Sequence, residues 1–571
     1  MIALYKQALR SEKGRLLAIV LLMAADTIAQ SALPMIMSRL INLSTQQGAS
    51  ARPTAALMLG LIVLSCLVSV VLCRLSMRTA QSCQNSLRKK TFHHMLQLSP
   101  MQVREFSLGE LLTRIMSDTG IVADFIMQSI FVFIKPLLLI IVGVVMLMRV
   151  QMKLMTVVYL IVPIQLVLLV ITIRRMLPYF SRIQTNVEKL NSHMQESMDC
   201  IRLIKAYTGE EDRSAAFDKK NGQLYEASIS IQLWTAMLNP VIMLLMNLGT
   251  MILLFSCSML LQRHEIDAGG VMAGFAYIQQ IFMSLMMLGE FFPNISRVRI
   301  SGKRIRHFFG IQPAVKDGDD ELPKGPIALE LENVSHHFSP DAPPVLRDIS
   351  LSIPARSAMA LAGGTGSGKT TLLRLLCRMT DATQGRILIN GKPVQDYQLE
   401  SLYEQVQLVE QNCRLFADTL ANNIRCGFDA TDEEVLQAAR EAQLEPLIAS
   451  LPEGINTYLS ESSASLSGGQ RQCLAVARAL LRKPRVLLLD DSSSSMDLDT
   501  EHRLMTSLLS SQEERTLLVV SQRVSTLSRF PRIAMLDDAQ LVCLGDHEAM
   551  LEGCEAYRRL CDAQKAEEGR Q

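Results

Sequence analysis

The sequence predicts a chain in two parts: an all-α domain of six long apolar helices, then an α/β domain with a largely parallel sheet. Three observations carry this reading. Apolar runs of about 20 residues, the length needed to cross roughly 30 Å of hydrocarbon, recur six times before Arg299. A polar, acidic segment follows, and after it short β-rich runs alternate with helical patterns. At 571 residues the chain also exceeds the roughly 250 to 300 at which a single core stops growing. Hydrophobic residues make up 49% and charged ones 20%, so apolar and polar material must be segregated along the chain.

The N-terminus is basic and leads into an apolar stretch that is too long for a secretory signal and lacks a small-residue cleavage site. The expected spans lie near 16 to 41, 55 to 76, 127 to 149, 153 to 174, 233 to 261 and 269 to 293. Connectors after the first, third and fifth spans are short. Those after the second and fourth are long and basic, with Arg74, Arg78, Arg88, Lys89, Lys90, Arg104 and Arg114 in one, and Arg174, Arg175, Arg182, Lys189, Arg202 and Lys205 in the other. The positive-inside tendency puts these long connectors, and both termini, on the cytoplasmic side of a cell membrane. Val187, Leu190, His193, Met194 and Ser197 recur at helical steps, and no proline stands between Tyr179 and Leu238. The helices are therefore expected to continue well beyond the bilayer, with tips that a soluble part can dock against.

Residues 315–325, VKDGDDELPKG, read as a linker. The expected domains are a transmembrane domain over 1–310, a linker over 311–326 and an α/β domain over 327–571. Within the last, IALELENV, AMALAG, RILING, VQLVEQ, RVLLLDD and TLLVVS read as strands. A net charge of only +2 argues against a nucleic-acid partner. Twelve cysteines without a C-x-x-C pair suggest neither a zinc site nor a redox motif, and favour a reducing, cytosol-facing chain.

The strongest chemical signal is GGTGSGKT, which follows an apolar strand and precedes a helical run. In this P-loop, Gly363, Gly364, Thr365, Gly366, Ser367 and Gly368 let the backbone turn its N–H groups toward phosphate oxygens. Lys369 reaches the β- and γ-phosphates, Thr370 supplies a Mg2+ ligand, and Thr371 continues into the helix. ATP and Mg2+ are the expected ligands.

LSGGQ follows at 466–470, and a hydrophobic strand ends in Asp490. Together with the P-loop, these motifs resemble the nucleotide-binding domain of the ABC family. The stretches LRKKTFHHMLQLSPMQVREFSLGELLTRIMSD and QESMDCIRLIKAYTGEE are similar to the two cytoplasmic loops of ABC half-transporters with the exporter-type fold. The resemblance implies a role for each matching position. Phe338 stacks on adenine, Gln411 senses Mg2+ and the membrane domain, Asp490 is the Walker B carboxylate on Mg2+, and Asp497 closes the D-loop. Ser467, Gly468, Gly469 and Gln470 complete the ATP site of a second cassette bound head to tail.

Two positions depart from the family pattern. Asp491 stands where a glutamate usually orients the attacking water, and Gln522 stands where a switch histidine is expected. One methylene fewer withdraws the carboxylate by about 1 Å, a displacement that can cost on the order of 10²-fold in rate. Glutamine donates a hydrogen bond but cannot become cationic. The expectation is a site that binds MgATP and hydrolyses it slowly, in a heterodimer whose partner carries the glutamate and the histidine. A homodimer tolerating both changes is the alternative. Ser460 and Ser463 stand where the family often has glycine; Glu461 either contacts the partner's coupling loop or is a solvated side chain.

The cargo is less legible. Asp26, Gln30, Asn239, Asn247, Gln279, Gln280 and Glu290 lie in or near the spans. They either line a cavity that binds a polar or cationic substrate, or are structural, as Asp26 would be if half-buried near the membrane surface. Met272, Met283, Met286 and Met287 either suit an adaptable apolar cavity or merely pack and face lipid. No peptidase-like segment precedes the first span, so a leader-cleaving peptide exporter is not expected, and the short outer connectors fit export of an amphiphilic or peptide-like small molecule. Import of a metal chelate by the same fold, and a nucleotide-sensing subunit that gates a partner without pumping, are the competing readings.

Overall fold

The computed structural model describes residues 12–45, 51–339, 342–460, 466–510 and 514–568. It divides into two compact units. One comprises residues up to Met95 together with Phe106–Ile311; the other comprises Leu96–Glu105 and Gln312 onward.

In the first unit, among the described residues, six helices are long and apolar enough to cross a membrane: Lys13–Ser44, Arg52–Gln97, Leu108–Val150, Met152–Thr172, Pro240–Gln262 and Ala268–Gly289. Their apolar side chains face outward over much of each span, as a lipid solvent allows. Several run far past the hydrocarbon. Arg52–Gln97 has 46 residues, Met155–Asp199 has 45, and Glu210–Gln262 has 53, so at 1.5 Å per residue each exceeds about 65 Å. The third span is not a uniform α-helix, because Thr113–Asp118 and Ser129–Ile134 are π-helical.

Asp26 proves to be fully buried and saturated with partners. Lys135 pairs with it at 2.7 Å. Ser69 donates at 2.7 Å, Ser65 at 3.3 Å, and Gln30 Nε2 donates to both carboxylate oxygens at 3.0 and 3.1 Å. The carboxylate therefore clamps the first three spans together instead of facing a cavity. Gln279 donates to Thr250 at 3.0 Å, and Gln280 donates to Ser31 and to the Leu139 carbonyl. Asn247, Met272, Met283 and Met287 are exposed on this chain's surface and Met286 is half-buried. The side chains of Asn239 and Glu290, and the residues Glu461 and Ser463, lie outside the described residues.

The second unit is built on two main sheets. The strands are β1 (Leu329–His336), β2 (Leu346–Ile353), β3 (Ala358–Gly363), β4 (Gln384–Ile389), β5 (Lys392–Pro393), β6 (Val406–Val409), β7 (Asp418–Thr419), β8 (Tyr458–Leu459), β9 (Val486–Asp490), β10 (Thr516–Val520), β11 (Ile533–Asp537) and β12 (Gln540–Gly545). One sheet runs β12-β11-β3-β10-β9-β6, parallel except for β12 at its edge. β3, β9 and β10 are buried along their whole length, as strands covered on both faces must be. The runs IALELENV and RILING do not join this sheet. They form β1 and β4 of an antiparallel sheet ordered β2-β1-β4-β5.

Segment Leu96–Glu105 belongs to this unit. Gln102 donates to the Gln312 carbonyl at 2.8 Å and accepts from the Ala314 amide at 3.0 Å. The cysteines are otherwise thiols, but Cys543 and Cys554 are joined in a disulfide, against the all-reduced expectation.

Candidate functional site

Four adjacent parallel strands, β3, β10, β9 and β6, deliver their C-terminal ends to one edge of the sheet, where ligands of open α/β sheets gather. The loop after β3 begins at Gly363, with φ of 154°, where a Cβ would stand 2.4 Å from the Leu536 carbonyl oxygen. It ends at Gly368, φ 100°, where a Cβ would stand 2.6 Å from the Val345 carbonyl oxygen. Only glycine accepts both the conformation and the crowding. Helix Lys369–Leu376 starts directly afterwards. Lys369 is buried, and its Nζ donates to the Gly363 and Gly364 carbonyls at 2.9 and 2.6 Å and to Ser367 Oγ at 3.4 Å. Burial pushes its amine pKa down, against the pull of Asp491 and Asp490.

Asp490 ends β9, and its Oδ1 accepts from Thr370 Oγ1 at 3.1 Å. Asp491 follows in a left-handed conformation, φ 47°, and its Oδ2 accepts from Gln411 Nε2 at 3.1 Å. Burial pushes both carboxyls above the ordinary aspartate value. Gln522 lies just beyond β10 with an exposed side chain. Phe338 is 53% exposed, edge-on to His336 at 5.5 Å, and borders one hollow with Thr371, Arg374 and Glu410.

These residues fit a nucleotide triphosphate with magnesium. Thr370 and Asp490 present hard oxygens to each other. The ammonium of Lys369 stands at the loop, and at Gly364 and Gly366 a Cβ would meet nothing within 4 Å, so the exposed turn is open to a ligand.

The LSGGQ segment is built separately. Ser467 caps helix Gly468–Leu480, accepting from the Gln470 amide at 3.2 Å while Gln470 Oε1 accepts from the Ser467 amide at 2.9 Å. A Cβ at Gly469 would stand 3.0 Å from the Ser495 carbonyl oxygen, so the helix start packs closely on the loop after β9. The hydrogen bonds of Ser467 and Gln470 are made to each other, not to the loop at 363–371.

Sequence reasoning missed the residues that fix these loops. Glu501 is 3% exposed, and its Oε1 accepts from Ser493 Oγ and Thr526 Oγ1, both at 2.7 Å. Its other oxygen pairs with Arg523, whose guanidinium also donates to the Met496 and Ser494 carbonyls. One carboxylate thus ties the loop after β9 to the loop after β10. Gln564, on helix Glu555–Glu568, donates to the Gln522 carbonyl and accepts from the Val524 amide at 2.9 Å. Asp497 accepts from the Thr500 amide at 2.9 Å as an N-terminal cap. The only available signals were the position of Glu501 one helical turn beyond Asp497 and the adjacency of Arg523 to Gln522; nothing marks Gln564.

Comparison with known proteins agrees with this arrangement. Residues 16–285 match the family described as ABC transporter transmembrane region, and residues 346–494 match the family described as ABC transporter. An ABC transporter ATP-binding protein of Bacillus subtilis, YfiB, is 32% identical over 90% of this chain and 89% of its own length. The ATP-dependent lipid A-core flippase of Haemophilus influenzae is 29% identical over 84% of this chain and 82% of its own. Among solved structures, a bacterial Atm1-family ABC exporter with ATP bound superposes with a TM-score of 0.83 at 23% identity, covering 97% of this chain and 98% of that one. Neither metal-chelate import nor gating without transport is favoured by these relatives. With a spanning bundle and a P-loop cassette in one polypeptide, matched over nearly its whole length, the chain belongs to the ABC transporter family.

Proposed function

We propose that this chain is one half of an ATP-driven exporter that pairs with a second, non-identical half-transporter and moves an amphiphilic or peptide-like small molecule outward. In this reading both termini and the cassette are cytoplasmic, consistent with the basic long connectors. The outward direction draws support from a Bacillus subtilis relative, 27% identical over 84% of this chain, whose name describes multidrug export.

The observation that carries the proposal is the carboxylate after β9. Asp491 is one methylene shorter than a water-activating glutamate, and it is engaged by Gln411 at 3.1 Å. Lys369 and the loop amides hold the triphosphate, and Phe338 meets the adenine. Thr370, Asp490 and Gln411 hold Mg2+, which supplies electrostatic neutralisation of the phosphate oxygens. Gln522, a neutral donor, stabilises developing charge less than a cation would. This site accordingly holds ATP and turns it over slowly, while Ser467, Gly468, Gly469 and Gln470 complete the faster site of the partner.

The test is the ATPase rate of the purified chain alone. Turnover near 1 to 10 per second, ordinary for enzymes, overturns the heterodimer reading. The expected result is a rate about 10²-fold lower, restored by the pair Asp491→Glu and Gln522→His.

A further inference from the structure

We propose that a cavity at one end of the membrane bundle binds the phosphate-type anionic headgroup of an amphiphile. The cavity, about 680 Å³, opens where the first, third, fifth and sixth spans meet the short connectors. That volume is within the roughly 300 to 1,000 Å³ of typical ligand sites. Met35, Leu261, Ile266 and Tyr277 give it apolar walls, and Arg39 and Arg149 line it as well.

The charges around it do not cancel. Glu265 is neutralised by Lys153. Asp267 caps the sixth helix, accepting from the Gly270 amide at 2.8 Å, and also accepts from Asn42 at 2.5 Å. Its charge is thereby offset by the positive end of a helix. Arg39 and Arg149 make no hydrogen bond or ion pair among the described residues. Two unpaired guanidinium forks beside an apolar wall, at the end of the bundle where cations are disfavoured by the positive-inside tendency, match a phosphate bidentately while the wall takes an acyl chain. The inference rests on the transporter reading, with this end at the outer leaflet.

The full chain in phosphatidylcholine nanodiscs is titrated with fluorescent phosphatidylglycerol and, separately, with fluorescent phosphatidylcholine. The expected result is preference for phosphatidylglycerol, weakened at least tenfold in the pair Arg39→Gln and Arg149→Gln and largely kept in the pair Arg39→Lys and Arg149→Lys, which separates charge from folding. Equal binding by the glutamine variant, or no preference in the unaltered chain, overturns the site. In vesicles of both lipids, ATP-dependent movement of phosphatidylglycerol between leaflets identifies the headgroup as cargo. Retention without movement identifies it as a resident bilayer lipid, and either result upholds the site. A chain that binds ATP yet ignores phosphatidylglycerol sinks this inference alone; one that binds no ATP sinks the transporter reading.

Discussion

Removing Glu501 tests how the nucleotide-side loops are held. Its carboxylate is 4% exposed and the Arg523 side chain 32%. Two unit charges about 4 Å apart at an effective dielectric near 20 attract by about 4 kcal/mol, and the exposed third of Arg523 reduces this to about 2 to 3 kcal/mol. Glu501→Ala also leaves the Ser493 and Thr526 hydroxyls without their acceptor, so the single change should cost about 3 to 5 kcal/mol. A double-mutant cycle with Arg523→Ala isolates the pair. The assay is hydrogen exchange of the full chain, read at 492–497 and 521–524, because local opening reports the stability of each loop. Exchange in both segments should rise together, with a coupling of about 2 to 3 kcal/mol, or roughly 30- to 150-fold. A coupling below about 0.5 kcal/mol, the range of an exposed surface pair, or acceleration in one loop only, would refute the argument.

Other outcomes follow from the same geometry. Gly368→Ala places a Cβ against the Val345 carbonyl at φ 100°; ATP binding, followed with a fluorescent analogue, should weaken more than tenfold, and unchanged affinity counts against the loop geometry. Asp26→Ala leaves Lys135 unpaired inside the bundle, and thermal unfolding of the full chain should show a loss of about 3 to 5 kcal/mol, partly recovered by adding Lys135→Met. Gln564→Ala releases the Gln522 carbonyl and the Val524 amide. It should lower kcat of the assembled transporter while leaving KM for ATP unchanged; a shift in KM alone would show that Gln564 does not position that loop.

How much of this was legible depended on the range of the interaction. Six strands were readable because their apolar runs are local, and the glycines of 363–368 announce a turn that other residues cannot make. β2 and β12 were missed: β12 alternates half-buried with exposed positions throughout and β2 alternates only from Ile349 on, because Arg347 and Asp348 are consecutive exposed positions that break its period-2 pattern. β11 is a short apolar run, which periodicity alone cannot separate from a helix segment. The separate antiparallel sheet was not legible, since nothing within IALELENV or RILING says which neighbours they pair with. Asp26 stood out as costly, but its partner lies 109 positions later on the third span, and Glu501 meets Arg523 only once a helix packs beneath a loop. Such pairings are fixed by tertiary packing, which a linear pattern does not encode.

The placement of the second π-helical segment, Ser129–Ile134, has a mechanical corollary. It ends one residue before Lys135, the residue that grips Asp26. A π turn absorbs one more residue than an α turn, and each residue advances an α-helix by about 100°. If that stretch tightened into α geometry, Lys135 would swing away from the first helix. The salt bridge and the widened turn therefore hold one another in register, and rewinding a single turn would cut the polar tie between the third span and the first two, leaving the apolar packing of Ile19, Met23, Leu72, Val122, Ile126 and Ile130 between them.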